Sequence, residues 1–81
     1  MHTSDLLDTL ASTALVDRER VRPGVALADL GWDSLTDVTL IVELEVGRGL
    51  VVQPADLAAC RTVDDVLAVV RAAGPTVDAA P

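Results

Sequence analysis

Three segments of this chain place aliphatic residues at the three- and four-residue spacing of an α-helix, and this periodicity constrains the fold more than any other feature. The aliphatic positions are Leu6, Leu7, Leu10, Ala14 and Leu15 in the first segment, Leu40, Ile41 and Leu44 in the second, and Val63, Val66, Leu67 and Val70 in the third. The short stretch Gly49–Gln53 contains β-branched residues that suit a strand, but no second strand is available to pair with it. We therefore expect a loop there, and we predict an all-α fold, a four-helix bundle.

Capping signals set the boundaries of the first predicted helix and of the loop that follows it. The first helix is expected over about residues 4–16, behind Ser4 or Thr3 as the N-cap. A charged run and a Pro-Gly turn signal then break the helical pattern. The long loop that follows is expected to be held to the core by Val25, Leu27 and Leu30.

The second and third helices are bounded by glycine and proline. The second is expected to begin at Ser34 and to end near Gly47 or Gly49, since glycine commonly terminates helices. A short third helix is expected to open at Pro54 and to continue through Leu57 and Ala58.

The last helix and the domain limits follow from the C-terminal part of the chain. Thr62 is the predicted N-cap, and Asp65 stands where the acid of a capping box would stand. We expect one small domain over residues 1–81, with an ordered core at about 4–73 and a flexible tail at 74–81.

The charge of the chain narrows the classes of partner. Thirteen acidic residues against six arginines, with no lysine, give a formal net charge of −7. Nucleic acids and anionic membranes are polyanions and need basic footprints, so both are disfavoured. Basic proteins are the expected partners.

The sequence offers little material for a metal or catalytic site. Cys60 has no second cysteine to pair with, and together with the single His2 it cannot form a metal-ligand cluster. A serine nucleophile would need a neighbouring base, which one terminal histidine does not supply. No apolar run reaches the length of a membrane span and the N-terminus does not resemble a signal peptide, so we expect a cytoplasmic protein without catalytic activity.

The segment Leu30–Leu35, with the sequence LGWDSL, is a turn that leads directly into the second helical segment and places the Ser34 hydroxyl at its start. A serine in this place ordinarily caps the helix. The start of such a helix presents unpaired backbone N–H groups and the positive end of the helix dipole. Trp32, the only aromatic residue, is expected to pack on the core, and Cys60 is expected to act as a small apolar residue near the third helix.

The order of a long helix, a long loop, a helix that opens at Asp-Ser-Leu, a short helix and a final helix resembles the acyl carrier protein family over about Ser4–Ala73. In that family the serine between Asp and Leu receives a 4′-phosphopantetheine arm from coenzyme A. Acyl groups are then carried on the thiol of the arm as thioesters. The resemblance therefore implies that Ser34 is the attachment point and that the cofactor is 4′-phosphopantetheine.

The resemblance also implies partner enzymes. These are a phosphopantetheinyl transferase and an acyltransferase, an adenylating enzyme or a ketosynthase with a basic docking surface, acting on a carrier that we expect to be a monomer. The residues expected to contact them are Asp33, Leu35, Asp37, Val38, Val42, Glu43 and Val46. Asp37 and Glu43 are expected to be exposed, so that reversing their charge would affect loading more than folding.

Departures from the family pattern bear on the pathway. Fatty-acid carriers have a run of acids along the second helix, which is interrupted here by Thr36, Thr39, Val42 and Val46. This departs from the partner set of fatty-acid carriers. Asp33 favours the acyl branch of the family, whereas Gly49-Leu50 and the weakened acidic run lean toward the peptidyl branch. We therefore expect a discrete carrier of polyketide or hybrid natural-product biosynthesis, such as that of an antibiotic. A peptidyl or aminoacyl carrier of a nonribosomal peptide pathway and an unmodified helical adaptor remain as alternatives.

Overall fold

A computed structural model describes residues 3–73 of the chain. It contains four α-helices: α1 (Thr3–Ala14), α2 (Ser34–Arg48), α3 (Pro54–Ala58) and α4 (Val63–Ala73). Within these described residues no strand is present, and Gly49–Gln53 forms a connection between α2 and α3. The prediction of an all-α fold with a short third helix is confirmed.

An aliphatic core lies between the helices. Leu10, Leu40, Leu44 and Leu57 are almost completely buried, and the predicted stripe of α4 is buried throughout. Burial of each such side chain contributes roughly 1.5–3 kcal/mol, so the core does not depend on aromatic residues. Trp32 packs against the margin of this core.

The segment between α1 and α2 contains two short 3₁₀-helices, Arg18–Arg20 and Leu27–Leu30. Leu27 and Leu30 are buried and Val25 packs against the core, as predicted. Val21, which lies between two arginines and was not predicted as a core residue, is completely buried. Because its neighbours in the sequence are charged, apolar periodicity does not identify Val21 as a core residue.

This long connection is tied to the start of α4 by backbone hydrogen bonds. The Leu27 N–H donates to the Arg61 carbonyl at 2.9 Å, and the Val63 N–H donates to the Val25 carbonyl at 3.0 Å. The Gly24 N–H donates to Asp64 Oδ1 at 2.7 Å. The loop that leads to the Leu30–Leu35 turn is therefore anchored before it reaches α2.

The predicted end of α1 is wrong. The helix ends at Ala14, and Leu15 has a φ of 59° and is 90% exposed instead of belonging to the buried stripe. The Leu15 N–H donates to the Ser12 carbonyl and the Val16 N–H to the Ala11 carbonyl, which is the pattern of a Schellman termination. Glycine is usual at the left-handed position of this motif, so a leucine there gave no stop signal.

The start of α1 also differs from the prediction, because Thr3 and Ser4 both lie within the helix. Residues ahead of Thr3, the predicted tail at 74–81 and His2 lie outside the described residues. Of the two glycines proposed to end α2, Gly49 is the one that does so, in a left-handed conformation.

The predicted capping box of α4 is present. The Asp65 N–H donates to Thr62 Oγ1 at 3.3 Å, and the Thr62 N–H donates to Asp65 Oδ2 at 3.1 Å. None of the helices between residues 3 and 73 is long and apolar enough to cross a membrane.

Candidate functional site at the start of α2

Ser34 is the first residue of α2, and Asp33 is the N-cap. The Thr36 N–H donates to Asp33 Oδ1 at 2.9 Å, and the Asp33 N–H donates to Thr36 Oγ1 at 3.3 Å. Threonine takes the part that Glu or Gln usually plays in this reciprocal box. The interpretation of Ser34 as a simple N-cap is therefore wrong, because Asp33 does the capping.

The Ser34 hydroxyl is free. The residue is exposed, and within residues 3–73 its side chain makes no hydrogen bond. The hydroxyl stands at the positive end of a helix of fifteen residues. A phosphodiester on Ser34 would fit this position, since it would displace no existing contact and would lie near the unpaired N–H groups of the first turn.

The turn before Ser34 owes its shape to Gly31. This residue has a φ of 71°, in the left-handed region that glycine enters without steric cost. The Gly31 N–H donates to the Ala28 carbonyl and the Trp32 N–H donates to the Leu27 carbonyl, both at 3.2 Å. These bonds end the second 3₁₀-helix and direct the chain into α2.

Trp32 is half-buried against the core, as predicted, and it makes one polar contact that was not predicted. Its indole Nε1–H donates to Asp37 Oδ1 at 2.6 Å. The sequence carries no signal for this pair, because it joins a residue outside the helix to one in its first turn.

Hydrogen bonds from Thr36 lower the pKa of the Asp33 carboxyl, the backbone N–H contributing most and the hydroxyl next. Asp33 is therefore ionised at neutral pH and places a negative charge beside Ser34. Burial raises the pKa of the Cys60 thiol, and the nearby carboxylates of Asp65, Asp37 and Asp56 raise it further. A neutral, partly buried thiol agrees with the predicted role of Cys60 as a small apolar residue.

The side of α2 that faces away from the core carries four exposed apolar side chains, which we call the outer stripe. Leu35 is 71% exposed, Val38 54%, Val42 52% and Val46 82%. They follow one another at three- and four-residue intervals, so they share one helix face. The outer stripe begins next to Ser34 and runs along most of the helix.

Asp37 and Glu43 do not lie free on the surface, so the expectation that they are exposed is wrong for both. Each is half-buried, and each accepts a side-chain hydrogen bond. Asp37 binds Trp32, and Glu43 Oε1 accepts from Thr13 Oγ1 of α1 at 3.1 Å. The exposed acids around the site are Asp29, Asp33 and Glu45.

The described residues form no metal site, and the groove that they do form lies away from Ser34. Within residues 3–73 no group of His, Cys, Asp and Glu is placed to hold a metal ion. A shallow groove of about 440 Å³ lies between α4 and the α2–α3 connection, lined mainly by Val51, Val52, Ala68 and Val69, and no residue of the Leu30–Leu35 turn lines it.

Comparison with known families gives one match. The family described as "Phosphopantetheine attachment site" matches residues 4–70, which is most of the chain. No curated protein matches the chain significantly.

Proposed function

The chain belongs to the phosphopantetheine attachment family and is a phosphopantetheine-bearing carrier, and we propose that its arm is attached to Ser34. Members of this family carry the 4′-phosphopantetheine group and work with phosphopantetheinyl transferases and biosynthetic enzymes. The observation that supports Ser34 is its free, exposed hydroxyl in the first position of α2, with capping left to Asp33.

In the proposed modification, Ser34 Oγ attacks the pantetheine-bearing phosphorus of coenzyme A. A new O–P bond forms and the pyrophosphate O–P bond breaks, so that adenosine 3′,5′-bisphosphate leaves and the serine proton passes to a base of the transferase. We assign that base and the other catalytic groups to the partner, because the Asp33 carboxylate beside Ser34 is engaged in capping α2. The chain presents the nucleophile and then carries cargo as a thioester, without catalytic activity of its own.

The proposed docking surface surrounds Ser34 and extends along α2. Its exposed members are Asp33 and the outer stripe, Leu35, Val38, Val42 and Val46. Asp37 and Glu43 border this surface and can offer a partner only the carboxylate oxygen that is not engaged within the chain. Exposed apolar side chains at helical spacing typify helices that dock into a groove of a partner.

We place this carrier in polyketide or hybrid natural-product biosynthesis, loaded by an acyltransferase or an adenylating enzyme and unloaded by a ketosynthase. Val42 and Val46 of the outer stripe argue against a standard fatty-acid carrier, because they interrupt the run of acids that such carriers have along this helix, and Asp33 favours an acyl carrier. A peptidyl or aminoacyl carrier of a nonribosomal pathway is the second candidate, favoured by Gly49-Leu50. The monomeric state, the single domain over 1–81 and the cytoplasmic location stay predictions.

Intact-mass spectrometry tests the proposal. The purified chain is incubated with coenzyme A and a phosphopantetheinyl transferase of broad specificity, and we expect the mass to rise by one arm. Ser34→Ala should stay at its starting mass. Ser12→Ala is the matched control, since Ser12 is also exposed on a helix, and it should gain the arm like the unsubstituted chain. A folded chain that never gains mass would support the unmodified adaptor instead.

A further inference from the structure

Trp32 is held from two directions although it lies outside any helix. Its backbone N–H donates back to the Leu27 carbonyl, and its indole donates forward to Asp37 in the first turn of α2. The ring itself packs against the core. The residue therefore connects the anchored loop, the core and α2 at a point two residues before Ser34.

We propose that Trp32 is a positioning residue for the modification of Ser34, because its bond to Asp37 fixes the turn from which the serine hydroxyl projects. The inference rests on the proposed attachment at Ser34 and adds a role for two side chains that do not themselves react. It also assigns Asp37 a function as an internal acceptor, distinct from contact with a partner.

The backbone around Ser34 explains why such an anchor matters. Gly31 is left-handed and Asp33 is fully extended, with φ and ψ of −137° and −172°, so the chain bends sharply just before the helix. The Ser34 side chain has no hydrogen bond of its own within the described residues, so its position follows that of the backbone. Small displacements of a reacting group, on the order of 1 Å, can slow a reaction about a hundredfold.

Kinetics of arm transfer from coenzyme A by a phosphopantetheinyl transferase test this role. Trp32→Phe keeps an aromatic ring on the core but removes the indole donor. We expect kcat to fall about tenfold, while the KM for the carrier changes less than about twofold, because the outer stripe that docks is untouched. Thr13→Val is the matched control: it removes the other side-chain hydrogen bond to an acid of α2, away from the turn, and should leave kcat and KM within about twofold.

Substitutions of Asp37 separate its role as a hydrogen-bond acceptor from the effect of its negative charge. Asp37→Asn keeps an oxygen that can accept from the indole, and we expect it to retain kcat, with any contribution of the charge to docking appearing in KM. Asp37→Leu removes the acceptor and should lower kcat as Trp32→Phe does. The double variant Trp32→Phe/Asp37→Leu should be no slower than either single variant, because both remove the same bond.

The inference is overturned if Trp32→Phe is loaded with an unchanged kcat, or if Thr13→Val loses as much kcat at a similar melting temperature. Circular dichroism monitors folding, and if Trp32→Phe does not fold, equal kcat values for Asp37→Asn and Asp37→Leu overturn it instead. Failure of the unsubstituted chain to accept any arm would contradict the proposed function itself. The two failures are therefore distinguishable.

Discussion

At the scale of single residues, Thr36 lowers the pKa of the Asp33 carboxyl, which lies next to the proposed modification site. Its N–H and its hydroxyl both donate to Asp33 Oδ1, and these bonds lower the pKa of that carboxyl. A pKa that is lower in the folded state stabilises the fold above the unfolded value of the carboxyl. This contribution is lost as the pH falls through the folded value, because protonation of Asp33 removes the stabilisation. The loss is therefore confined to acidic conditions.

We predict that Thr36→Val raises the pKa of Asp33 toward the ordinary value, because the hydroxyl donor is removed while the backbone N–H remains. Titration of the Asp33 carboxyl carbon by NMR measures this directly. Thr39→Val is the matched control on the same helix, since the Thr39 hydroxyl donates to the Leu35 carbonyl and not to Asp33. Equal Asp33 titrations in both variants would contradict the assigned role of the Thr36 hydroxyl.

The left-handed backbone conformation of Leu15 leads to a second prediction at this scale. A left-handed conformation costs a non-glycine residue roughly 1–2 kcal/mol, and the exposed leucine side chain recovers little of this by packing. Leu15→Gly should therefore stabilise the fold by about 1 kcal/mol, which in a domain of this size raises the melting temperature by about 4–8 °C. Leu15→Ala keeps the steric cost, and an equal rise for that variant would rule out the backbone explanation.

At the scale of elements, α2 has two apolar faces with different uses. One face contains the fully buried Leu40 and Leu44, and the other is the outer stripe. Helical periodicity in the sequence identified the inner face but could not decide what the flanking apolar residues contact. The orientation of α2 relative to the core decides which of these residues are buried. That orientation depends on packing between segments that are distant in the sequence.

We predict that Val42→Asp slows loading by partner enzymes because it places a charge within the outer stripe, where a docked partner would exclude water. The fold should be nearly unaffected, since exposed substitutions usually cost less than about 0.5 kcal/mol. Val51→Asp is the matched control, because Val51 is 60% exposed but lies outside α2. Steady-state loading kinetics compare the two. Equal rates for both variants would show that the outer stripe does not dock.

At the scale of the whole molecule, stability depends on the aliphatic core. Leu40→Ala should destabilise the fold by about 2–5 kcal/mol, a large share of the roughly 5–15 kcal/mol typical of a small domain. Leu35→Ala, at a 71% exposed position of the same helix, should change the free energy of unfolding by less than about 0.5 kcal/mol. Chemical denaturation measures both. Similar losses for the two variants would mean that the orientation of α2 is wrong.

Much of this fold could be predicted from local signals. Pro54 and the Thr62–Asp65 box mark boundaries through backbone chemistry that acts within a few residues, and they were predicted correctly. Gly49, which ends α2, was one of the two glycines predicted there. The end of α1 at Leu15 was missed because leucine occupies the left-handed position of the Schellman motif, where glycine is usual. Val21 was missed because its burial depends on where the whole loop packs.

The site was predictable to a similar degree. The Asp-Ser-Leu turn predicted the start of α2 at Ser34, because that signal lies within adjacent residues. The assignment of Ser34 as the attachment point stays a prediction. That Asp33 and not Ser34 caps α2 was not predicted, since either side chain can cap a helix. The Trp32–Asp37 and Thr13–Glu43 bonds were also missed, because each depends on how separate segments approach in space.

Peptide mapping of the loaded protein tests the central claim most directly. Trypsin cleaves after arginine but not before proline, so it should release Val21–Arg48, in which Ser34 is the only serine. After incubation with coenzyme A and a phosphopantetheinyl transferase, we predict that tandem mass spectrometry places one 4′-phosphopantetheine arm on Ser34. An arm on Thr36, on a peptide from α1 or on no peptide at all would contradict the account.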